Sequence, residues 1–263
     1  MFPNANTLAE AGTAGQIADG SSARFVNAQG LEYNQAVNKS LIGALMVDQI
    51  INNYLSTSVL DAGSNRGDND MSVTAEGKVY TNMEHKWDEA YGYLFGGVSN
   101  TVDPLTVLGE DSFLNKYLSR VEGDADFAGI ADDIWQAFKL GRAAIVARDY
   151  TTRDEQAEIL REKISTVVGV RAIYYLQNGK NALANNDFGG GFHDLSEGFG
   201  FVYSLQFLRV SNSSDALFSS AEVNGYISQL TQGNGFWDLS GDTLDQISES
   251  IAEKFNFTVA QAL

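Results

Sequence analysis

Residues 30–55, GLEYNQAVNKSLIGALMVDQIINNYL, decide the fold class of this chain. Their apolar side chains recur every three or four positions, which is the repeat of one face of an α-helix. The pattern extends over about seven helical turns and predicts a long helix over 31–57. The predicted face is broad and mostly apolar, and it comprises Tyr33, Val37, Leu41, Ala44, Leu45, Asp48, Ile51 and Leu55.

A second helix is predicted from its end signals. Thr81 and Glu84 form a Thr-x-x-Glu capping box, which typically opens a helix. The helix should therefore begin just where His85 appears, and the glycine pair 96–97 should end it.

Another long helix is predicted over 152–178, where Thr152 and Glu155 form a second capping box. A loop is expected over 181–191, because this stretch ends in three glycines. No alternating strand pattern lasts more than a few residues anywhere in the chain. The predicted fold class is all-α.

The composition excludes several classes of function. Lys and Arg number 17 against 34 Asp and Glu, so the formal net charge is −17. Nucleic-acid binding is not expected, because it needs clustered cations to displace counterions from phosphates. The chain has no cysteine, so disulfides and thiolate metal sites are absent.

Two features bear on membranes and export. The longest apolar stretch, LIGALMVDQII at 41–51, is too short to span a bilayer and contains Asp48, so no transmembrane segment is predicted. Residues 1–27 lack the basic and apolar regions of a signal peptide. We interpret them as a flexible N-terminal tail from which a leader has been removed.

The only two histidines open segments of the same design, HKWDEAYGYLF at 85–95 and HDLSEGFGFVY at 193–203. In each segment a Glu follows the His after four residues and a Gly follows after seven. The offset is constant, since 193−85, 197−89 and 200−92 all equal 108. We predict a duplication in which residues 28–263 form one domain of two related helical bundles, about 28–125 and 126–263.

This spacing also suggests a metal site. A His and a Glu four residues apart lie on one helix face. A glycine within a helix lowers the stability of the helix by about 1 kcal/mol relative to alanine. Its presence in both segments suggests that another group approaches the backbone there. If the bundles pack about a pseudo-twofold axis, the two pairs converge, and imidazole and carboxylate suit iron or zinc. The predicted metal ligands are His85, Glu89, His193 and Glu197. The predicted binding or supporting residues are Glu32, Asp88, Gly92, Arg142 and Gly200.

Alternatives remain open for these residues. Each His–Glu pair can form a hydrogen bond that only orients a packed helix, and Arg142, Arg171 and Glu32 can form structural salt bridges. An acidic segment has oxygen ligands suitable for Ca²⁺, but it departs from the EF-hand pattern and is predicted to be a solvated loop. Its polar residues are Asp61, Asn65, Asp68 and Asp70.

The segment GGFHDLSEGFGF at 190–201 resembles the signature of the imelysin-like proteins, in which Gly-x-His is followed closely by Glu. Gly191, His193 and Glu197 match it, although Glu197 follows the His by four residues and the family usually has three. MEHKWDEAYGYLFG at 83–96 and GRAAIVARDY at 141–150 extend the resemblance, which covers about 30–210. It is strongest to a Bacteroidetes branch of unknown function.

The resemblance implies an exported, often lipid-anchored protein of two pseudo-symmetric helical bundles packed together. It also implies a link to iron uptake or metallopeptidase activity. We therefore expect an extracytoplasmic binding protein, in the periplasm or at the cell surface, with a metal ion or small ligand in the cleft between the bundles. Other cell-envelope proteins are expected partners. The alternatives are a metallopeptidase that uses the same residues and a non-enzymatic interaction module without a metal.

Overall fold

A computed structural model describes residues 7–19 and 22–263, and this part of the chain is mostly helical. The predicted helical class is confirmed. The α-helices are α1 Tyr33–Leu41, α2 Thr57–Leu60, α3 Asn65–Asp70, α4 Asn82–Phe95, α5 Leu114–Glu122, α6 Ile130–Ala147, α7 Tyr150–Ala184, α8 Phe188–Ser204, α9 Ser220–Thr231 and α10 Gly241–Ala252. A π-helix covers Ile42–Tyr54, and short 3₁₀ helices cover Pro104–Val107, Leu205–Phe207, Gly235–Trp237 and Val259–Ala262.

Two short strands precede the helices and were not predicted. The strands β1, Gly15–Asp19, and β2, Ser22–Val26, pair antiparallel with Gly15 opposite Val26. Each has five residues, too few for alternation to stand out in the sequence. They fall within the predicted N-terminal tail 1–27, of which residues 1–6 and 20–21 lie outside the described residues.

The chain forms two compact units, each assembled from separate segments. The first unit comprises the chain up to Gly43 together with Val168–Gln206 and Leu217–Leu263. The second unit comprises Ala44–Val167 and Phe207–Ala216. The predicted division at about residue 125 and the symmetry between two bundles stay predictions.

In the first unit, α1 packs closely against α8. A Cβ atom on Gly200 would lie 2.8 Å from both the carbonyl oxygen of Ala36 and the backbone nitrogen of Ser40. Only a glycine therefore allows α8 to approach α1 this closely. The aromatic residues Phe192 and Phe201 of α8 are fully buried in this unit.

In the second unit, α4 packs against α6 through Trp87. The indole of Trp87 is fully buried, and its Nε1–H donates a hydrogen bond of 2.9 Å to the carbonyl oxygen of Phe138. Gly141 of α6 lies against the indole ring, where a Cβ atom would collide with it. The α4 helix begins as predicted, since Thr81 and Glu84 form both hydrogen bonds of the capping box.

The apolar face predicted for residues 31–57 is largely wrong. The α1 helix continues directly as the π-helix, and residues on the predicted face lie open to solvent: Tyr33, Val37, Leu41 and Leu45. The buried positions are instead Ala36, Lys39, Ile42, Val47, Ile50, Ile51 and Leu55. One reason is that a π-helix repeats its hydrogen bonds after five residues, so a 3.6-residue pattern loses the buried face. The other is that small residues mark the contact with α8, and they carry little apolar signal.

Two other predicted helix starts are also corrected. The α7 helix begins at Tyr150, and Asp149 accepts the backbone N–H of Thr152 at 3.1 Å, so Thr152 is not the cap. The three glycines predicted to end a loop lie inside α8, which is capped by Asp187 through the N–H of Gly190 at 2.8 Å. Close packing explains their place in a helix, because a Cβ atom on Gly191 would lie 2.9 Å from the side chain of Leu183.

Candidate functional site

His193 lies in the first unit, on the second turn of α8. Its Nδ1 atom is 2.8 Å from Oε2 of Glu32, the residue that precedes α1. The side chain of His193 is 25% exposed and that of Glu32 is 13% exposed, so solvent reaches the imidazole more easily than the carboxylate. Glu32 and His193, which were both predicted for the site, are thus in direct contact.

Glu197 lies one turn further along α8 and is nearly buried. Its Oε1 atom is 3.2 Å from Nζ of Lys39, and both side chains are at most 10% exposed. The same oxygen is 3.9 Å from Nε2 of His193, beyond hydrogen-bonding distance. The four side chains therefore form a row in the order Glu32, His193, Glu197 and Lys39.

The packing of α1 on α8 fixes this row. The hydroxyl of Ser196 accepts the backbone N–H of Glu32 at 2.8 Å and donates to the carbonyl of Phe192 at 2.6 Å. This hydrogen bond holds the start of α1 against α8. The contact at Gly200, one turn beyond Glu197, brings Lys39 beside the carboxylate.

Asp194 adds a titratable group beside His193. Burial is the main reason why the pKa of Asp194 rises to about 6. Among the nearby charges, His193 opposes the rise, Glu197 adds to it, and Arg24 and Arg171 oppose it. Near pH 6 the charge of this carboxyl group therefore responds to small changes in acidity.

His85 and Glu89 lie in the second unit, on α4. Nε2 of His85 is 3.3 Å from Oε1 of Glu89, and the two side chains are 41% and 39% exposed. The ring of Tyr80 stacks on the imidazole with 5.1 Å between the ring centroids. This pair is more open to solvent than the pair on α8.

Arg142 links two acidic residues of α4 in the same unit. It donates to Oε1 of Glu84 at 2.7 Å and to Oδ1 of Asp88 at 2.9 Å. Burial acts to raise the pKa of Glu84, but the N–H of Thr81 and the Arg142 guanidinium bring it below the usual value. Burial raises the pKa of Asp88 above its usual value, although Arg142 opposes this. Arg142 therefore joins α6 to the capped start of α4.

The two predicted glycines have different surroundings. Gly200 contacts the backbone of α1, as its place in the helix suggested. A Cβ atom on Gly92, in contrast, would meet no atom of the described residues within 4 Å apart from its chain neighbours and the backbone of its own helix. The expected close approach of a neighbouring helix is found at Gly200, and for Gly92 the expectation stays a prediction.

The two His–Glu pairs belong to different units, and their convergence stays a prediction. Each His shares a helix face with its own Glu, as their spacing predicted. Within the described part of the chain, no three His, Asp or Glu side chains are grouped so that they could hold a metal ion.

The predicted acidic loop is partly helical, and its carboxylates have protein partners. Asp61 accepts from Nη1 of the fully buried Arg153 at 2.6 Å, and Asp70 accepts from the hydroxyl of Tyr150 at 2.6 Å. Asp68 accepts from the hydroxyl of Ser64 at 2.6 Å. Each of these three carboxylates therefore accepts a hydrogen bond from a protein side chain.

Three site residues were missed from the sequence: Lys39, Asp194 and Ser196. Lys39 follows Glu32 by seven residues, two helical turns, and this spacing alone could have placed both on one face. Ser196 had no such signal, because its role depends on a backbone N–H 164 residues away.

Comparison with known protein families gives a match over nearly the whole chain. The family model described as "Domain of unknown function (DUF4856)" matches residues 1–258, nearly the whole chain. No curated protein and no solved structure matches the chain. Among residues 7–19 and 22–263, no helix combines the length and apolar composition that a bilayer span requires.

Proposed function

We propose that this chain, which belongs to the DUF4856 family, is an extracytoplasmic binding protein that takes a metal ion, iron or zinc, at His193 and Glu197. The extracytoplasmic location and the link to metal uptake follow from the resemblance to the imelysin-like proteins. The metal site rests on the geometry around His193.

The contact between His193 and Glu32 is the observation that carries the proposal. Histidines that bind metals commonly donate their second ring N–H to a carboxylate, which fixes the ring and raises its basicity. Glu32 lies 2.8 Å from Nδ1 and provides this acceptor. With the proton on Nδ1, Nε2 keeps its lone pair on the side of Glu197.

The spacing of the two candidate ligands fits an ion between them. Zinc lies about 2.0–2.1 Å from a histidine nitrogen and about 2.0–2.2 Å from a carboxylate oxygen. Nε2 of His193 and Oε1 of Glu197 are 3.9 Å apart, so one ion can reach both. The 108-residue repeat predicts His85 and Glu89 as further ligands.

We also propose that the two histidine segments descend from one duplicated helical unit, giving two pseudo-symmetric bundles. Both histidines lie near the start of a helix whose first turn is capped by a side chain, Thr81 for α4 and Asp187 for α8. Similar local structure at both copies supports a common origin.

A second candidate role is structural, and the ion pair between Lys39 and Glu197 favours it. The ammonium neutralises the carboxylate that the metal would use, at 3.2 Å and almost out of solvent. In this role the row from Glu32 to Lys39 joins α1 to α8, and the chain acts as an interaction module.

Metal analysis of the protein purified without a His-tag, followed by calorimetric titration with Fe²⁺, Fe³⁺ and Zn²⁺, tests the metal proposal. The wild type should bind one of these ions, and His193→Ala should weaken binding at least about tenfold through loss of a ligand. His85→Ala tests the second pair separately, and Asn185→Ala, an exposed position beyond α7, serves as the control.

Equal heats for the wild type and the His85→Ala/His193→Ala double variant would remove the metal site and leave the structural role. Chelator-sensitive cleavage of a peptide library by the metal-loaded wild type, lost in the double variant, would instead support a metallopeptidase.

A further inference from the structure

The second unit contains an open cleft of about 820 Å³, within the size range of small-molecule sites. Its walls come from the last turns of the π-helix, the start of α2, the first three turns of α7, and the segment that follows Leu208. All of the described residues that line it belong to this unit. It is therefore distinct from the cluster around His193.

The lining of this polar cleft is rich in hydrogen-bonding groups. Among the described residues that line the cleft, Ile51 alone has an apolar side chain. The other side chains carry hydroxyl, amide, carboxylate or guanidinium groups. Small-molecule pockets are usually mostly apolar, with a few polar groups that fix orientation. The exposed surface of this lining is part polar and part apolar, which suits a ligand that carries hydroxyl groups on a hydrocarbon ring.

Hydrogen bonds of Arg161 order one wall of the cleft before any ligand binds. Its side chain is 12% exposed, and it donates to the carbonyl oxygens of Ile51 and Leu55, each at 3.2 Å, at the end of the π-helix. It also pairs with Glu158, whose other oxygen accepts the N–H of Asn212 at 2.8 Å. The cleft is held open by these contacts, so a ligand need not order it.

The pairing of charges within the wall decides the class of ligand. Arg161 pairs with Glu158, and Asp154 pairs with Arg153 at 2.8 Å. The cleft is also lined by Glu155 and Arg209, so its three carboxylates are balanced by three guanidinium groups. An amino acid or another zwitterion would have to compete with these pairs. A neutral hydroxyl can instead donate to a remaining carboxylate lone pair and accept from a remaining guanidinium N–H.

Groups at the edge of the cleft remain accessible to such a ligand. Thr151 and Glu155 are exposed on the first turns of α7, and the side chain of Asp154 is 44% exposed despite its ion pair. Thr57 and Ser58 face the cleft from the start of α2 and are also exposed. They offer hydroxyls and carboxylates on two sides of one volume.

From this arrangement we infer that the polar cleft binds a neutral carbohydrate, whose adjacent hydroxyls bridge the carboxylates of α7 and the hydroxyls of α2. The inference does not depend on the metal proposal, because no residue of the His193 cluster takes part.

Calorimetric titration of the full chain with soluble gluco-, manno- and xylo-oligosaccharides tests this inference. At least one of them should bind, and Glu155→Gln should raise its Kd about tenfold, since hydrogen bonds to charged groups are the stronger ones. Glu162→Gln is the matched control, because Glu162 is exposed on the same helix but does not line the cleft. Thr151→Val should also weaken binding.

Three results would overturn the inference. The first is no heat with any oligosaccharide at millimolar concentration. The second is an oligosaccharide Kd that is the same for Glu155→Gln, Thr151→Val and the control Glu162→Gln, which would show that the sugar binds outside the cleft. The third is binding of free amino acids in place of sugars at the same cleft. Circular dichroism of each variant checks that the fold is retained.

Discussion

Lys39 and Glu197 form a nearly buried ion pair between α1 and α8, with Nζ 3.2 Å from Oε1. Removing one partner of such a pair leaves the other charge uncompensated. Lys39→Met should therefore lower the free energy of unfolding by about 3 kcal/mol, measured by urea denaturation at neutral pH. Lys78→Met removes an exposed lysine and should change it by less than about 0.5 kcal/mol. Equal effects of the two substitutions would contradict the role of the pair.

The same substitution distinguishes the two proposed roles of the site. If Glu197 is a metal ligand, Lys39→Met removes a competing cation, and the affinity for Zn²⁺ should rise several-fold in calorimetric titration. If the row only joins two helices, the variant should bind no more metal than the wild type does.

Glu32→Gln tests whether the carboxylate orients His193. The amide can keep a hydrogen bond to Nδ1 but loses the negative charge that raises the basicity of the ring. Loss of such a partner commonly reduces metal affinity about 10–100-fold. We expect a decrease in this range for Zn²⁺ with little change in secondary structure by circular dichroism. Unchanged affinity would show that Glu32 does not support a metal ligand.

Gly92 and Gly200 form a matched pair for substitution by alanine. Gly200→Ala should destabilise the protein by about 1–3 kcal/mol, because the added methyl group would be forced against the backbone of α1. Gly92→Ala should stabilise it by up to about 1 kcal/mol, since the site is open and alanine favours a helix. Urea denaturation of both variants measures the difference. Similar effects at the two positions would contradict the structure.

Glu222 should make the free energy of unfolding depend on pH in the acidic range. The N–H of Ser219 and then Lys254 bring the pKa of Glu222 down to about 2 in the folded chain. The charged form is therefore favoured by folding, and its stabilisation is present above pH 4.5 and lost as the pH falls towards 2. Because the side chain is 39% exposed, solvent reduces the effect to about 1 kcal/mol or less. Glu222→Gln should flatten this part of the stability curve measured by urea denaturation at several pH values.

Local signals in the sequence predicted the features that depend on neighbouring residues. The capping box of Thr81 and Glu84 needs only a four-residue segment, and it forms as expected. The His–Glu spacing likewise places each pair on one helix face. These features depend on backbone geometry within about one helical turn.

The features that the sequence did not predict correctly depend on contacts between distant parts of the chain. The buried face of α1 is set by the contact of Ala36 and Lys39 with Gly200, more than 160 positions away in the sequence. The apolar pattern favoured Val37 and Leu41 instead, because the hydrophobicity of a residue does not reveal how closely a remote glycine lets another helix approach. For the same reason, the run of glycines at 189–191 indicates a loop in the sequence although it lies within α8.

The enclosed indole of Trp87 gives a built-in optical probe. Its emission should lie at short wavelength while the ring is shielded and shift to the red when water reaches it. Trp87 belongs to the second unit and Trp237 to the first, so variants that retain only one of them, with Trp135 replaced, would follow each unit without a label. Coincident transitions would show that the two units unfold cooperatively as one. Separate transitions would show that one unit stays folded after the other has unfolded.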